Sequence, residues 1–159
     1  MRAIRLAVGL IAAATVSMPS SMPANAEGQS AQGEPEYRAL EGSDFPLSEA
    51  VQVGDILYLS GKLGTAADGS GLVPGGIEPQ ARRAMDRIGE TLAKYDLTHD
   101  AVFKCTVWLA DMKDFDAFNA VYKSYFKPGR YPARSAMAVK GLALGAAVEV
   151  ECVAHTGMG

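Results

Sequence analysis

The sequence predicts one α+β domain: a single sheet with both of its helices packed on one face. Three observations lead there. Over residues 43–159, strand-like and helix-like stretches follow in the order strand-strand-helix-strand-helix-strand-strand. Each helical stretch has one apolar stripe, and two such helices cannot cover both sides of a five-strand sheet. The strand positions left uncovered mix polar and aromatic residues, so the bare face meets water or another subunit.

The elements are justified in turn. "SEAVQVG" alternates apart from Ala50, and "ILYLSG" is a short apolar strand, with Gly54-Asp55 as the tight turn between them. "TAADGSGLVPGG" is a glycine-rich loop that lacks the G-x-x-x-x-G-K-[ST] spacing of a phosphate cradle. A helix opens near Glu78, with Pro79 in the first turn, where its missing N–H costs nothing. Ala81, Met85, Ile88, Leu92 and Tyr95 form its buried stripe, and Arg82, Arg83, Asp86, Arg87, Glu90 and Lys94 are predicted to be solvated. "AVFKCTVWLAD" is the next strand. Phe103, Cys105, Val107 and Leu109 share its inner side; Lys104, Thr106 and Trp108 point to the bare face. The second helix runs from Asp114, a plausible N-cap, to Phe126, and Pro128-Gly129 stops it. Phe115, Phe118, Tyr122 and Tyr125 or Phe126 make its stripe. Two strands follow, about 133–140 and 146–155, with Glu149 and Glu151 on the bare face.

Residues 1–26 read as a secretory signal peptide. A basic "MRAIR" precedes the apolar "LAVGLIAAATV", and Ala24 and Ala26 occupy the A-x-A positions. The apolar run is well short of the ~20 residues a spanning helix needs. Cleavage after Ala26 predicts a secreted or periplasmic protein with no remaining membrane segment. Residues 27–42, rich in Glu, Gln, Gly and Ser, read as a flexible leader. Loss of Arg2 and Arg5 with the signal takes the formal net charge from −3 to −5. An acidic globule without a basic, aromatic-interleaved stripe has no general affinity for nucleic acid.

His99 and His155 show no ligand spacing, and there is no CxxC, so no metal site is predicted. Cys105 and Cys152 both fall in strand-like runs. Export would let a disulfide persist, yet an isolated strand cysteine also serves simply as a small buried hydrophobe. "YPARSAMAVKGLALGAAVEVE" places Arg134 at the start of one apolar strand and Glu149 inside the next. Such charges face either solvent or a ligand.

"VQVGDILYLSGKLG", "VFKCTVWLADMKDFDAFNAVYKSYF" and "YPARSAMAVKGLALGAAVEVECVA" resemble the YjgF/YER057c/UK114 family, also called RidA, for reactive intermediate deaminase. The resemblance covers about Phe45 to His155, and the spacing of Arg134 from Glu149 is its strongest element. It implies a chorismate-mutase-like fold assembled as a homotrimer. The last strand would lie between the second and third strands of the five predicted, not beside its chain neighbour. Clefts between subunits would hydrolyse enamine/imine intermediates to 2-keto acids and ammonia, without a cofactor. Arg134 would hold the substrate carboxylate, helped by the backbone N–H of Ala136. Glu149 would activate the attacking water as general base, Gly61 would bring backbone close to the substrate, and Asn119 matches a family asparagine near the site. At two positions the chain departs from the family pattern. Leu47 stands where active members often carry an aromatic residue, which should reshape the pocket. Ala136 stands where they often carry cysteine, and keeps its N–H. Under the implied topology Cys105 and Cys152 lie on neighbouring antiparallel strands, both facing the helices, so that a bond depends on the register.

The signal pattern and the resemblance together imply an exported imine deaminase acting on a small carboxylate-bearing substrate. A non-catalytic trimer that binds small carboxylates, and a chaperone-like protein that uses exposed surface, are the alternatives.

Overall fold

A computed structural model describes residues 33–157. The predicted signal peptide, residues 1–26, and the first part of the predicted leader lie outside the described residues. The strands are β1 (Glu36–Ala39), β2 (Ser48–Val53), β3 (Ile56–Leu59), β4 (Lys62–Leu63), β5 (Val102–Leu109), β6 (Ala133–Ala138) and β7 (Val148–His155). The helices are α1 (Ile77–Ala93) and α2 (Phe115–Tyr122). No described helix is long and apolar enough to cross a membrane.

All seven strands join one sheet in the order β1-β2-β3-β7-β5-β6, with β4 also pairing β7. β6 runs parallel to β5, and every other pairing is antiparallel. The last strand therefore enters the middle of the sheet, as the resemblance implied, and β6 and β7 form no hairpin. The connections β3–α1–β5 and β5–α2–β6 step across the sheet in the same direction. Crossovers between parallel strands are almost always right-handed, which puts both helices on the same face.

The core forms on that face. Along β7, Val148, Val150, Cys152 and Ala154 are buried, while Glu149, Glu151, Val153 and His155 alternate outward. Leu57, Leu59, Cys105, Val107 and Leu109 continue the buried layer beneath Ala81, Ala84, Met85, Ile88 and Leu92 of α1 and Phe118 of α2. Each such aliphatic side chain contributes about 1.5–3 kcal/mol by leaving water. Cys105 and Cys152 are directly opposed across β5 and β7 and form a disulfide. The register, which the sequence could not supply, is what allows it.

Four expectations need correction. Glu36–Ala39 is not flexible leader but an edge strand, with Tyr37 opposite Val51. All four of its residues are exposed, so the strand shows no apolar alternation to read; it is held by backbone pairing with β2 and by Arg38, which donates to the Tyr95 hydroxyl at 3.3 Å. Phe103 is not in the core: it is 46% exposed, and Val102 is buried in its place. The pairing with β7 shifts between Val102 and Lys104, which turns Phe103 outward. Asp114 sits at the N-cap of α2 without a side-chain capping bond. Arg83 and Arg87 are half-buried instead of solvated. Arg83 Nε donates to the Thr65 carbonyl and Arg87 Nη1 to that of Leu63, each at 3.0 Å. They tie α1 to the segment after β4. The same approach explains Gly64, where a Cβ would fall 2.5 Å from the Cα of Gln80.

A charged cluster anchors the start of that segment from below. Glu49 and Lys62 are only 7% and 3% exposed. Thr91 Oγ1 donates to Glu49 at 3.0 Å, Lys94 Nζ donates at 2.6 Å, and Lys62 Nζ stands 3.9 Å away. Burial pushes the Lys62 ammonium down to about 8. The cluster holds β4, and with it the adjacent Gly61, against the sheet.

Candidate active site

The predicted site residues fall into two groups. Arg134 and Ala136 lie on β6, the strand at one edge of the sheet. Arg134 is in register with Cys105, so its side chain rises on the helix face. There its guanidinium carbon lies 4.6 Å from the centre of the Tyr122 ring and 5.6 Å from those of Phe115 and Phe118. Such contacts hold a cation without neutralising it. Arg134 makes no ion pair among the described residues. It opens on a groove of about 400 Å³ lined also by Asn119, Tyr122, Lys123, Tyr131 and Pro132. No carboxylate lines this groove, so an anion entering it meets Arg134 and Lys123 unopposed.

Ala136 is two residues along on the same side of β6, packed on the core. The N–H of Val139 donates to the Leu109 carbonyl at 2.9 Å. Alternation along the strand then directs the Ala136 N–H away from β5, to the open sheet edge.

The second group is Glu149 and Gly61. Glu149 is opposite Trp108 and next to Leu63 of β4. It alternates with buried Val148 and Val150, so it stands on the bare face, half-buried. Burial, and then the nearby Glu151 carboxylate, raise its pKa above the ordinary range for glutamate. Gly61 lies against it: a Cβ there would fall 2.2 Å from Glu149 Oε1. Only glycine leaves that carboxylate its place. Leu47, 49% exposed, precedes β2. The Ser60 hydroxyl donates to the Ser48 carbonyl at 2.6 Å, which joins the Gly61 turn to the start of that strand.

Within one chain the two groups do not meet. Arg134 and Glu149 are two strands apart, three residues out of register, and on opposite faces of the sheet. Sequence reading singled out the charged members and missed the aromatic cage, because Phe115, Phe118 and Tyr122 looked like core stripe alone. The signal was there in part: Phe118, Asn119 and Tyr122 share one helical turn, which brings an amide and a phenol to the same groove.

Comparison with known proteins decides the relationship. The family described as Endoribonuclease L-PSP matches residues 41–156. The chain is 43% identical over 112 residues to the mouse 2-iminobutanoate/2-iminopropanoate deaminase, covering 70% of this chain and 82% of that one. It is 40% identical over 116 residues to the human protein of the same name, covering 73% and 84%. The chain belongs to the YjgF/RidA family. Among solved structures, RidA from an Antarctic Psychrobacter superposes with a TM-score of 0.67 at 31% identity, over 71% of this chain and 90% of its own. The α+β sheet with two helices is thus the RidA fold, and the split between Arg134 and Glu149 is a property of one RidA-family chain taken alone.

Proposed function

We propose that this chain is an imine deaminase that hydrolyses small 2-imino acids to 2-keto acids and ammonia. It is exported by its signal peptide and works as a homotrimer without a cofactor. The observation that carries the reading is the unpaired Arg134 guanidinium, caged by three rings and open to a groove. A planar guanidinium grips a carboxylate with two parallel hydrogen bonds, which lysine cannot do. The names of the mouse and human relatives supply the matching substrate class.

The chemistry follows from the two half-sites. Arg134, with the Ala136 N–H, binds the carboxylate of the imino acid in the groove, beside Asn119. Glu149 comes from a neighbouring copy and takes a proton from water as the oxygen bonds to the imine carbon. That proton passes to the imine nitrogen, giving a neutral carbinolamine; Glu149 then moves the carbinolamine hydroxyl proton to the nitrogen as the C–N bond breaks, the keto C=O forms and ammonia departs. One water is consumed per imine, with no electron transfer. A glutamate whose pKa is raised by burial suits both directions of this proton traffic. Leu47, before β2, brings no ring to the Glu149 side of the proposed cleft, where the family resemblance places an aromatic residue in many active members. The RNA cleavage suggested by the family's description has no support in the composition, since the formal net charge is −3.

The test is ammonia release from freshly generated imino acids by the mature protein. Arg134→Lys should weaken substrate binding. Glu149→Gln should keep binding and lower turnover by roughly 10²–10⁴-fold, the reach of general base catalysis. Wild-type rates in both variants would overturn the reading.

A further inference from the structure

We propose that Tyr122 is a second binding residue of the Arg134 half-site, its hydroxyl donating a hydrogen bond to the same carboxylate. The inference rests on the carboxylate-binding reading of Arg134 and adds a donor to it.

Among the described residues, the Tyr122 hydroxyl is the one buried side-chain polar atom without a hydrogen-bond partner. Tyr122 is 4% exposed. A buried hydroxyl left unmade costs stability, whereas a phenylalanine of the same shape carries no such cost. The surroundings would accept that phenylalanine. The ring packs on Phe118 at 5.5 Å and on Phe126 at 4.8 Å between centroids, both plain hydrocarbon. Packing therefore gives no reason for the oxygen.

The neighbour that does bear on it is Arg134. Its guanidinium stands 4.6 Å over the Tyr122 ring, and its charge acts on the phenol. A guanidinium has N–H groups only and no lone pair to offer, so it cannot receive the phenol proton. Both residues line the same groove, and no carboxylate is among its lining residues to accept from either. A carboxylate supplies what both lack. It has about four lone-pair positions, so a two-pronged arginine leaves room for a third donor. Burial pushes the Tyr122 pKa up to about 12, which keeps the proton on the oxygen at neutral pH. The ligand class is a small monoanionic 2-keto or 2-imino carboxylate, reaching past Asn119 to the aromatic cage.

The experiment compares wild type, Tyr122→Phe and Arg134→Lys in the full mature protein, with calorimetric titration of 2-oxobutanoate, thermal unfolding and light scattering. Tyr122→Phe should weaken binding about 10-fold, the usual value of a hydrogen bond to a charged group. Its unfolding midpoint should stay level or rise, and its assembly should be unchanged. A tyrosine that only fills space would leave binding untouched. If Arg134→Lys loses affinity and Tyr122→Phe does not, Arg134 binds the carboxylate and the Tyr122 inference fails alone. If neither variant loses affinity, or wild type binds nothing, the half-site reading fails and takes the inference with it. A lowered midpoint, or a smaller assembly, in Tyr122→Phe would mean the hydroxyl is bonded within the protein or to a second copy, and would overturn the inference.

Discussion

Two inactive variants should restore activity when they share one oligomer. Counted on the sheet, Arg134 is level with Cys105 and Cys152, while Glu149 is three residues further along β7. That is about 10 Å along the strands and about 10 Å across them, or roughly 14 Å between Cα atoms, from strand spacings of ~3.3 and ~4.8 Å. The side chains also leave the sheet in opposite directions. A small imino acid cannot touch both in one copy, so under the proposed function each working cleft takes the Arg134 half from one subunit and the Glu149 half from the next. Mix Arg134→Ala and Glu149→Gln subunits equally, by co-expression or by refolding together. A cleft works only when its arginine comes from the Glu149→Gln copy and its glutamate from the Arg134→Ala copy. In a head-to-tail ring with random assembly this holds for about one cleft in four. The mixture should therefore release ammonia from 2-iminobutanoate at about a quarter of the wild-type rate, while each parent alone is nearly inactive. Native mass spectrometry establishes that hybrids have formed. Hybrids no more active than their parents would refute the two-copy cleft and the reasoning from opposite faces.

Further predictions follow the same geometry. Gly61→Ala should push the Glu149 carboxylate aside and lower turnover roughly 10²-fold, the cost of a misplacement near 1 Å, while 2-oxobutanoate still binds; kinetics and titration together check this. Replacing both Cys105 and Cys152 by alanine should lower stability by about 4 kcal/mol, from the closure entropy of the loop between residues 47 apart in sequence, as read by urea denaturation; two free thiols in the oxidised, denatured wild type would show that the bond is absent. His99 is half-buried, its Nε2–H donates to the Met85 carbonyl at 3.1 Å, and burial lowers its pKa. The unfolded chain then takes up the proton first, so stability should be level above about pH 6.5 and fall as the pH drops below it. Denaturation curves between pH 7.5 and 5.5 that do not move would rule this out.

The parts of the fold that were legible in the sequence are those where one periodicity acts alone. Ala81, Met85, Ile88 and Leu92 mark α1, and the alternation of β7 separates Val148 and Val150 from Glu149. Where a second force intervenes, the reading fails. A shift in pairing turned Phe103 outward against its alternation. β1 is held by backbone bonds to β2 and by Arg38 on Tyr95 of the loop after α1, neither of which leaves an apolar alternation. Nothing local marks Glu49 and Lys62 as buried, because they are brought together with Thr91 and Lys94 by topology. The site was legible as residue types and not as geometry. Arg134 and Glu149 stood out as charges in apolar strands, but the faces they occupy depend on β7 entering between β3 and β5. No local pattern carries that information; the family resemblance did.

The central place of β7 also governs how the chain can be made. Synthesis delivers β3 and β5 well before the strand that must lie between them. Until it arrives, each presents an open edge able to pair with another molecule, and the disulfide has only one of its two cysteines in hand. A ribosome stalled a dozen residues short of His155 would leave two fragments of sheet with nothing to join them. The nascent chain therefore depends on something keeping it apart from its neighbours. Under the proposed export, the same delay is an advantage: a chain threaded unfolded through a membrane pore forms no premature structure to block the passage, and closure of the disulfide waits for the oxidising side.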